Sequence, residues 1–211
     1  MTRPTSQVGG RLFVQLLLLF AGVAAPLIAA RGFTAFTTDT ARALKVAARP
    51  RRVPDVRLLD ADSVTRTFGG DGRAMIVDFI ATRCQSMCAA QNGIYQQLQR
   101  EIARRQLSGR IQLVTVSFDP EWDTPRALRY FAIAQRPDPS IWIVLTPPDR
   151  VVLRALLDTF GIRVIREGDE FVHNTALHVV APNGQLVGIF PITAPDDALA
   201  MTDSVSRAFR R

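Results

Sequence analysis

Cysteine is nearly absent from this chain: its 211 residues include only Cys84 and Cys88. A scaffold stapled by several disulfides is thereby excluded. Histidine is equally scarce, with His173 and His178 alone, so a site that needs imidazole has two positions to draw on. Lysine occurs once, at Lys45, and the other 25 of the 26 basic residues are Arg, a bias that fits genomic base composition better than site chemistry. Internal repeats and low-complexity stretches are missing, which removes solenoids and repeat arrays. Apolar residues make up 47% and charged residues 21% of the chain. That supports one core-bearing domain, is short for two, and is incompatible with intrinsic disorder or a collagen repeat.

The net charge of +7 invites a nucleic-acid reading until it is located. Residues 1–52 carry eight basic groups (Arg3, Arg11, Arg31, Arg42, Lys45, Arg49, Arg51 and Arg52) against Asp39 alone. The remaining 159 residues balance 18 Arg against 18 acids. The part expected to fold is neutral, so no nucleic-acid partner is expected.

From Leu12 to Ala30 run 19 uncharged residues, with Gln15 the one strongly polar side chain. As a helix this stretch spans ~28 Å, about the thickness of a bilayer's hydrocarbon core. It exceeds the apolar run of a secretory signal, and Pro26 and Arg31 make a poor cleavage site, so an uncleaved transmembrane anchor is expected rather than a clipped signal or a buried core helix. Basic residues flank both ends, so charge leaves the orientation open. Residues 31–53 show neither helical nor strand periodicity and end in Arg49-Pro50-Arg51-Arg52. The expected organisation is an N-terminal segment at 1–11, cytoplasmic where the folded part is exported, an anchor at 12–30, a tether at 31–53 and a folded domain at 54–211.

Within that domain, Val56–Leu59 and Val64–Phe68 predict short strands, and Ala74–Ile80 is a continuous apolar run expected as a central strand buried on both faces. Ile94, Leu98 and Ile102 mark an amphipathic helix over Cys88–Arg105. Ile111–Phe118 and Ile141–Leu145 predict two more buried strands. Asp123-Thr124-Pro125 opens one helix and Pro147-Pro148-Asp149 another, to about Phe160. Ala176–Ala181 and Gln185–Phe190 flank Pro182-Asn183-Gly184 as a hairpin, and Asp196–Phe209 closes as a helix. Buried strands separated by helices imply parallel crossovers, and the late hairpin adds an antiparallel edge: an α/β sandwich with a mixed sheet.

Cys84 and Cys88 fall where the central strand gives way to a helix, the end of an open α/β sheet at which ligands bind. A helix N-terminus favours thiolate over thiol. The C-x₃-C spacing admits a structural disulfide, a thiol–disulfide exchange pair one residue longer than the usual C-x₂-C, or a metal site needing another ligand. His178 shares a strand face with Ala176 and Val180, which predicts a partly buried structural histidine. His173 lies in the loop before the hairpin. If the strand beginning near Thr175 neighbours the strand leading to Cys84, that loop reaches the sulfurs' end of the sheet. Two thiolates and one imidazole form a soft, low-coordinate set that suits Cu(I), and Cu(II) with an axial ligand added, better than zinc.

Cys84-x₃-Cys88 after a strand, Ser117-Phe118-Asp119-Pro120-Glu121-Trp122-Asp123-Thr124-Pro125 after the next, and a His nine residues before the Pro of a Pro-Asn-Gly turn together resemble the SCO/SenC family. These are membrane-anchored copper chaperones with a thioredoxin-like fold that help assemble the copper centre of cytochrome c oxidase. The resemblance spans about residues 54–209. It implies copper held by Cys84, Cys88 and His173, with Asp119 in the site's surround and not a ligand. It also implies an apo-subunit of a copper-containing respiratory oxidase as partner. The protein would act as an assembly factor rather than a turnover enzyme; the alternative is a membrane-anchored thiol–disulfide reductase acting on client cysteines through Cys84 and Cys88. The implied location is the bacterial inner membrane with a periplasmic domain, the mitochondrial inner membrane being the alternative. Four features depart from the family or from the reductases: Ala89 replaces the Pro after the second cysteine, Arg83 precedes the first, Gln85-Ser86-Met87 replaces a segment that often carries an acid, and Thr175 stands near where reductases carry a cis-proline. The less acidic loop beside Arg83 is expected to favour thiolates, and Met87 offers a soft thioether.

Overall fold

The computed structural model describes residues 38–69, 72–84, 87–168 and 170–209, with Gln15 before them. Two compact units divide the chain, residues 1–44 and 45–211. The expected anchor lies outside the described residues except at Gln15. Among the described residues no helix is long and apolar enough to cross a membrane.

The segment read as a tether without periodicity contains regular structure. Helix α1, Thr38–Ala48, carries Asp39 in its first turn and Lys45 in its last, charges that complement the helix dipole. Its alanine content supplies helix propensity where no long apolar stripe exists. Strand β1, Arg51–Arg52, then pairs antiparallel with β10, Gln185–Phe190, so the sheet begins before residue 54.

The sheet has eight strands in the order β1-β10-β9-β4-β5-β6-β2-β3. Its centre is β4, Ala74–Ile80, beside β5, Ile111–Ser117, both buried at every residue. β5 is followed by β6, Trp142–Thr146, and these three run parallel, as the intervening helices require. On one flank, β2, Arg57–Asp60, and β3, Thr65–Thr67, add antiparallel. On the other, β9, Leu177–Val180, pairs antiparallel with β4, aligning Val77 with His178. The start of β9 therefore lies at the end of β4 from which the Cys84 turn departs.

Side-chain alternation along β4 distributes the helices over two faces. Asp78 accepts from Gln91 of helix α2, Met87–Arg104, whose Tyr95 hydroxyl donates to the Ile76 carbonyl at 3.0 Å. Phe79 instead meets Phe160 of α4, Arg150–Phe160, with ring centroids 5.1 Å apart. Asp149 caps the start of α4 by accepting from the amides of Val151 and Val152, and Gly161 ends it at φ 67, in the left-handed region that glycine tolerates. Helix α3, Pro125–Gln135, starts as expected, with Thr124 as its cap, and α5, Pro195–Ala208, closes the chain against β9, β10 and β4.

A further element, like α1 and β1, leaves no clear trace in the sequence pattern. Val164–Glu167 (β7) and Glu170–His173 (β8) form a separate two-stranded antiparallel hairpin outside the main sheet. His173 is thus the last residue of a strand rather than part of an irregular loop. The segment is short and its apolar residues sit side by side (Val164-Ile165, Phe171-Val172) rather than in alternation, so period-two patterning is too weak to predict strands.

Candidate functional site

Beyond β4 the chain turns at Ala81, where the Cys84 amide donates to the Ala81 carbonyl at 3.1 Å. This turn is pinned by a buried acid that the sequence reading took only as part of a helix start. Asp123 is fully buried; one of its oxygens accepts from the Thr82 amide at 3.0 Å and from the Ser117 hydroxyl at 2.6 Å, and the other accepts from the Thr82 hydroxyl. Burial raises the Asp123 pKa and the nearby Asp119 charge adds to the rise, while the hydrogen bonds from Ser117 and Thr82 oppose it. Ser117 Oγ also accepts from the Asp119 amide at 3.0 Å, and the Phe118 amide donates to the Ile80 carbonyl at 2.8 Å. The exits of β4 and β5 are thereby locked together.

Cys84 is a free, buried thiol with 8% of its surface exposed. It borders an open groove of about 610 Å³ lined also by Ala81, Gln96, Trp122, Tyr130 and Phe131. Cys88 is the second residue of α2. Its side chain, that of Met87, and residues 85 and 86 lie outside the described residues, and so does the expectation that Met87 offers a thioether.

His173 reaches the same end of the sheet on β8. Its ring lies 4.8 Å from the Phe118 ring, centroid to centroid, and Phe118 follows Ser117 directly in the pinned network. The imidazole is 5% exposed, and both ring nitrogens are buried without a hydrogen-bond partner. Burial lowers its pKa, the Asn174 backbone opposing, so the neutral form that can ligate is favoured.

His178 does not join this site. It is fully buried, its Nδ1 lies 3.1 Å from the Val77 carbonyl, and the edges of Phe79 and Phe160 enclose it, as expected of a structural strand histidine. Asp119 belongs to the surround: its carboxylate accepts from Arg83 Nε at 2.8 Å and its carbonyl accepts from the amides of Trp122 and Asp123. The less acidic loop beside Arg83 is expected to favour thiolates, but the Arg83 charge is not directed at the sulfurs alone. Its guanidinium is ion-paired with Asp119 and lies 5.1 Å from the Trp122 ring centroid and 5.0 Å from that of Phe171. The two aromatic partners come from separate segments, a grouping that no local spacing reveals. Among the described residues, which do not include the Cys88 side chain, no three His, Cys, Asp or Glu side chains form a metal cluster.

The model of the SCO1/SenC family matches residues 56–208. The chain belongs to the SCO1/SenC family. A curated relative, the SCO1 protein homolog of Bacillus subtilis (strain 168), is 28% identical over 119 residues, 55% of this chain and 61% of the relative. The matched part thus spans about three fifths of that relative's length. Among solved structures, BsSco superposes with a TM-score of 0.66 at 21% identity, covering 75% of this chain and 95% of that one. It is a member of the Sco family of cytochrome c oxidase assembly proteins in which a disulfide switch was identified. Bradyrhizobium japonicum ScoI with copper bound superposes with a TM-score of 0.58 at 19% identity, covering 74% and 97%. These likenesses show a shared fold, the mixed α/β, thioredoxin-like fold of Sco proteins. The SCO1/SenC chain described here keeps only trans peptide bonds among its described residues, consistent with Thr175 in place of a cis-proline.

Proposed function

We propose that this chain is a copper-binding assembly factor that holds copper through Cys84, Cys88 and His173 and passes it to an apo-subunit of a copper-containing respiratory oxidase. The observation that carries this reading is the His173 imidazole: buried and lacking a hydrogen-bond partner, at the sheet end where the Cys84 thiol stands. Buried polar atoms are nearly always paired, and an orphaned neutral imidazole at the same sheet end as a free thiol suits a soft metal ion. Copper is the cargo, and the chain's own residues bind it and let it go. The open groove beside Cys84 gives an acceptor's ligands a route to the sulfur. The copper-bound ScoI structure and the oxidase-assembly role of BsSco support the choice of metal and partner. The apolar run Leu12–Ala30 supports a membrane anchor, and the family resemblance leads us to place it in the bacterial inner membrane with the folded part on the periplasmic side. Such an anchor raises the effective concentration of donor at acceptor.

Titration of the reduced full-length chain with Cu(I) against a competing chelator tests the ligand set. His173→Ala is expected to weaken binding about a hundredfold, the typical cost of losing a ligand or its support. Unchanged affinity overturns it. The exposure of the Cys84 thiol to a groove favours one further reading, a thiol–disulfide reductase acting on client cysteines. That reading requires full client reduction by His173→Ala with no copper retained.

A further inference from the structure

The hairpin that carries His173 shares no ladder with the eight-stranded sheet, so side chains must set its place. At its base Asn174 accepts from the Arg163 amide at 2.7 Å and donates to the Gly161 carbonyl at 3.1 Å. Those bonds tie the hairpin to the end of α4 and not to the Cys84 turn. Arg166 lies 6.0 Å from the Phe171 ring, but it belongs to β7 and moves with the hairpin. The connection from the turn is Arg83. Its guanidinium lies near the rings of both Trp122 and Phe171 while Nε donates to Asp119, which the Ser117–Asp123 network braces.

We propose that Arg83 is a positioning residue: by engaging Phe171 it holds β8, and with it His173, against the Cys84 turn, and so sets the affinity of the metal site without touching the metal. Phe171 and His173 are two residues apart on one strand, so their side chains face the same way and a shift of one carries the other. Both rings pack on Phe118, at 5.4 and 4.8 Å. Only a planar guanidinium can pair edge-on with a carboxylate while presenting its faces to aromatic rings, which a Lys ammonium cannot do. This inference rests on the copper reading above.

The test compares Cu(I) affinities of full-length, reduced variants. Arg83→Ala is expected to bind about tenfold more weakly, the scale of two cation–π contacts and a partly buried ion pair. Arg83→Lys should recover little of that loss. Phe171→Leu should lose affinity in the same direction although no charge near the sulfurs has changed. In a His173→Ala background Arg83→Ala should cost nothing further, because there is no imidazole left to position. Hydrogen exchange over residues 164–173 should quicken in Arg83→Ala. Wild-type affinity in Arg83→Ala and Phe171→Leu overturns the assignment. An equal loss with and without His173 also overturns it, since Arg83 would then act on the sulfurs by charge. A His173→Ala single variant that binds like wild type strikes the copper reading instead, and that arm contains no change at Arg83. Should Arg83→Ala fail to fold, Arg83→Lys and Phe171→Leu decide the matter.

Discussion

The turn that carries Cys84 and the hairpin that carries His173 lie at one end of the sheet but are secured by different means. The turn grows out of β4, a strand with every residue buried, and Asp123 satisfies three donors around it. The hairpin is attached through Asn174 at its base and through aromatic and guanidinium contacts at its face. Backbone ladders and buried hydrogen bonds are cooperative with the fold, whereas such side-chain contacts can loosen while the sheet stays intact. The Cys84 turn is therefore the stiffer of the two attachments and the His173 hairpin the more adjustable, a division of labour that suits the proposed copper donor, which must both hold a metal ion and release it.

Four measurements can break or sharpen that contrast. The largest effect lies deepest on the stiff side, in β4. Burial pushes the Asp78 carboxyl up to about 7 from an ordinary 3.8, against hydrogen bonds from Thr115, Gln91 and Tyr95 that oppose the rise. A carboxyl raised on folding stabilises the protein fully below its unfolded pKa, and that contribution is lost as pH rises through about 7. Wild type should therefore lose on the order of 4 kcal/mol from this group between acid and mildly alkaline pH. Asp78→Asn, neutral throughout, should remove that slope in denaturant unfolding; a pH-independent difference between the two proteins contradicts the assignment. Next, Asp123→Ala orphans three donors and should lower unfolding free energy by about 3 kcal/mol, loosening the Cys84 turn as it does. Stability within error of wild type would mean that the turn is not anchored there.

On the adjustable side the expected pattern reverses. His173→Ala should cost about 1 kcal/mol of stability or less, because lost packing on Phe118 is offset by no longer burying unpaired nitrogens, while copper affinity falls about a hundredfold. A large loss of stability would make the hairpin part of the core. Smallest, Asn174→Ala should cost about 1 kcal/mol, seen as faster hydrogen exchange over residues 164–173 and not in β4 or β5. Exchange that quickens equally across the sheet would erase the distinction between the two sides.

Much of the framework was legible in the residues because it rests on local signals. Ala74–Ile80 was expected as a central buried strand and is one; Pro125 and Asp149 marked helix starts; the Asn-Gly turn marked the β9–β10 hairpin. The pairing of β9 with β4, inferred from strand order, placed His173 near the Cys84 end. The misses share one cause. The β7–β8 hairpin is short and partly exposed, α1 is specified by alanine rather than by an apolar stripe, and β1 holds two exposed arginines, so none leaves a periodic trace.

The sequence by itself determined the layered α/β architecture, the neutrality of the folded part and the three residues worth testing as ligands, because periodicity and capping act within a few positions and the scarcity of cysteine and histidine leaves few candidates. Only the tertiary structure decided that Asp123 braces the cysteine turn, that Arg83 is engaged by Asp119 and two aromatic rings, and that the His173 nitrogens lie buried without partners. Those outcomes depend on side chains brought together from separate segments of the chain, such as Thr82 with Asp123 and Arg83 with Phe171, and on water being excluded between them. Burial and long-range contact are properties of the packed molecule, and no local pattern encodes them.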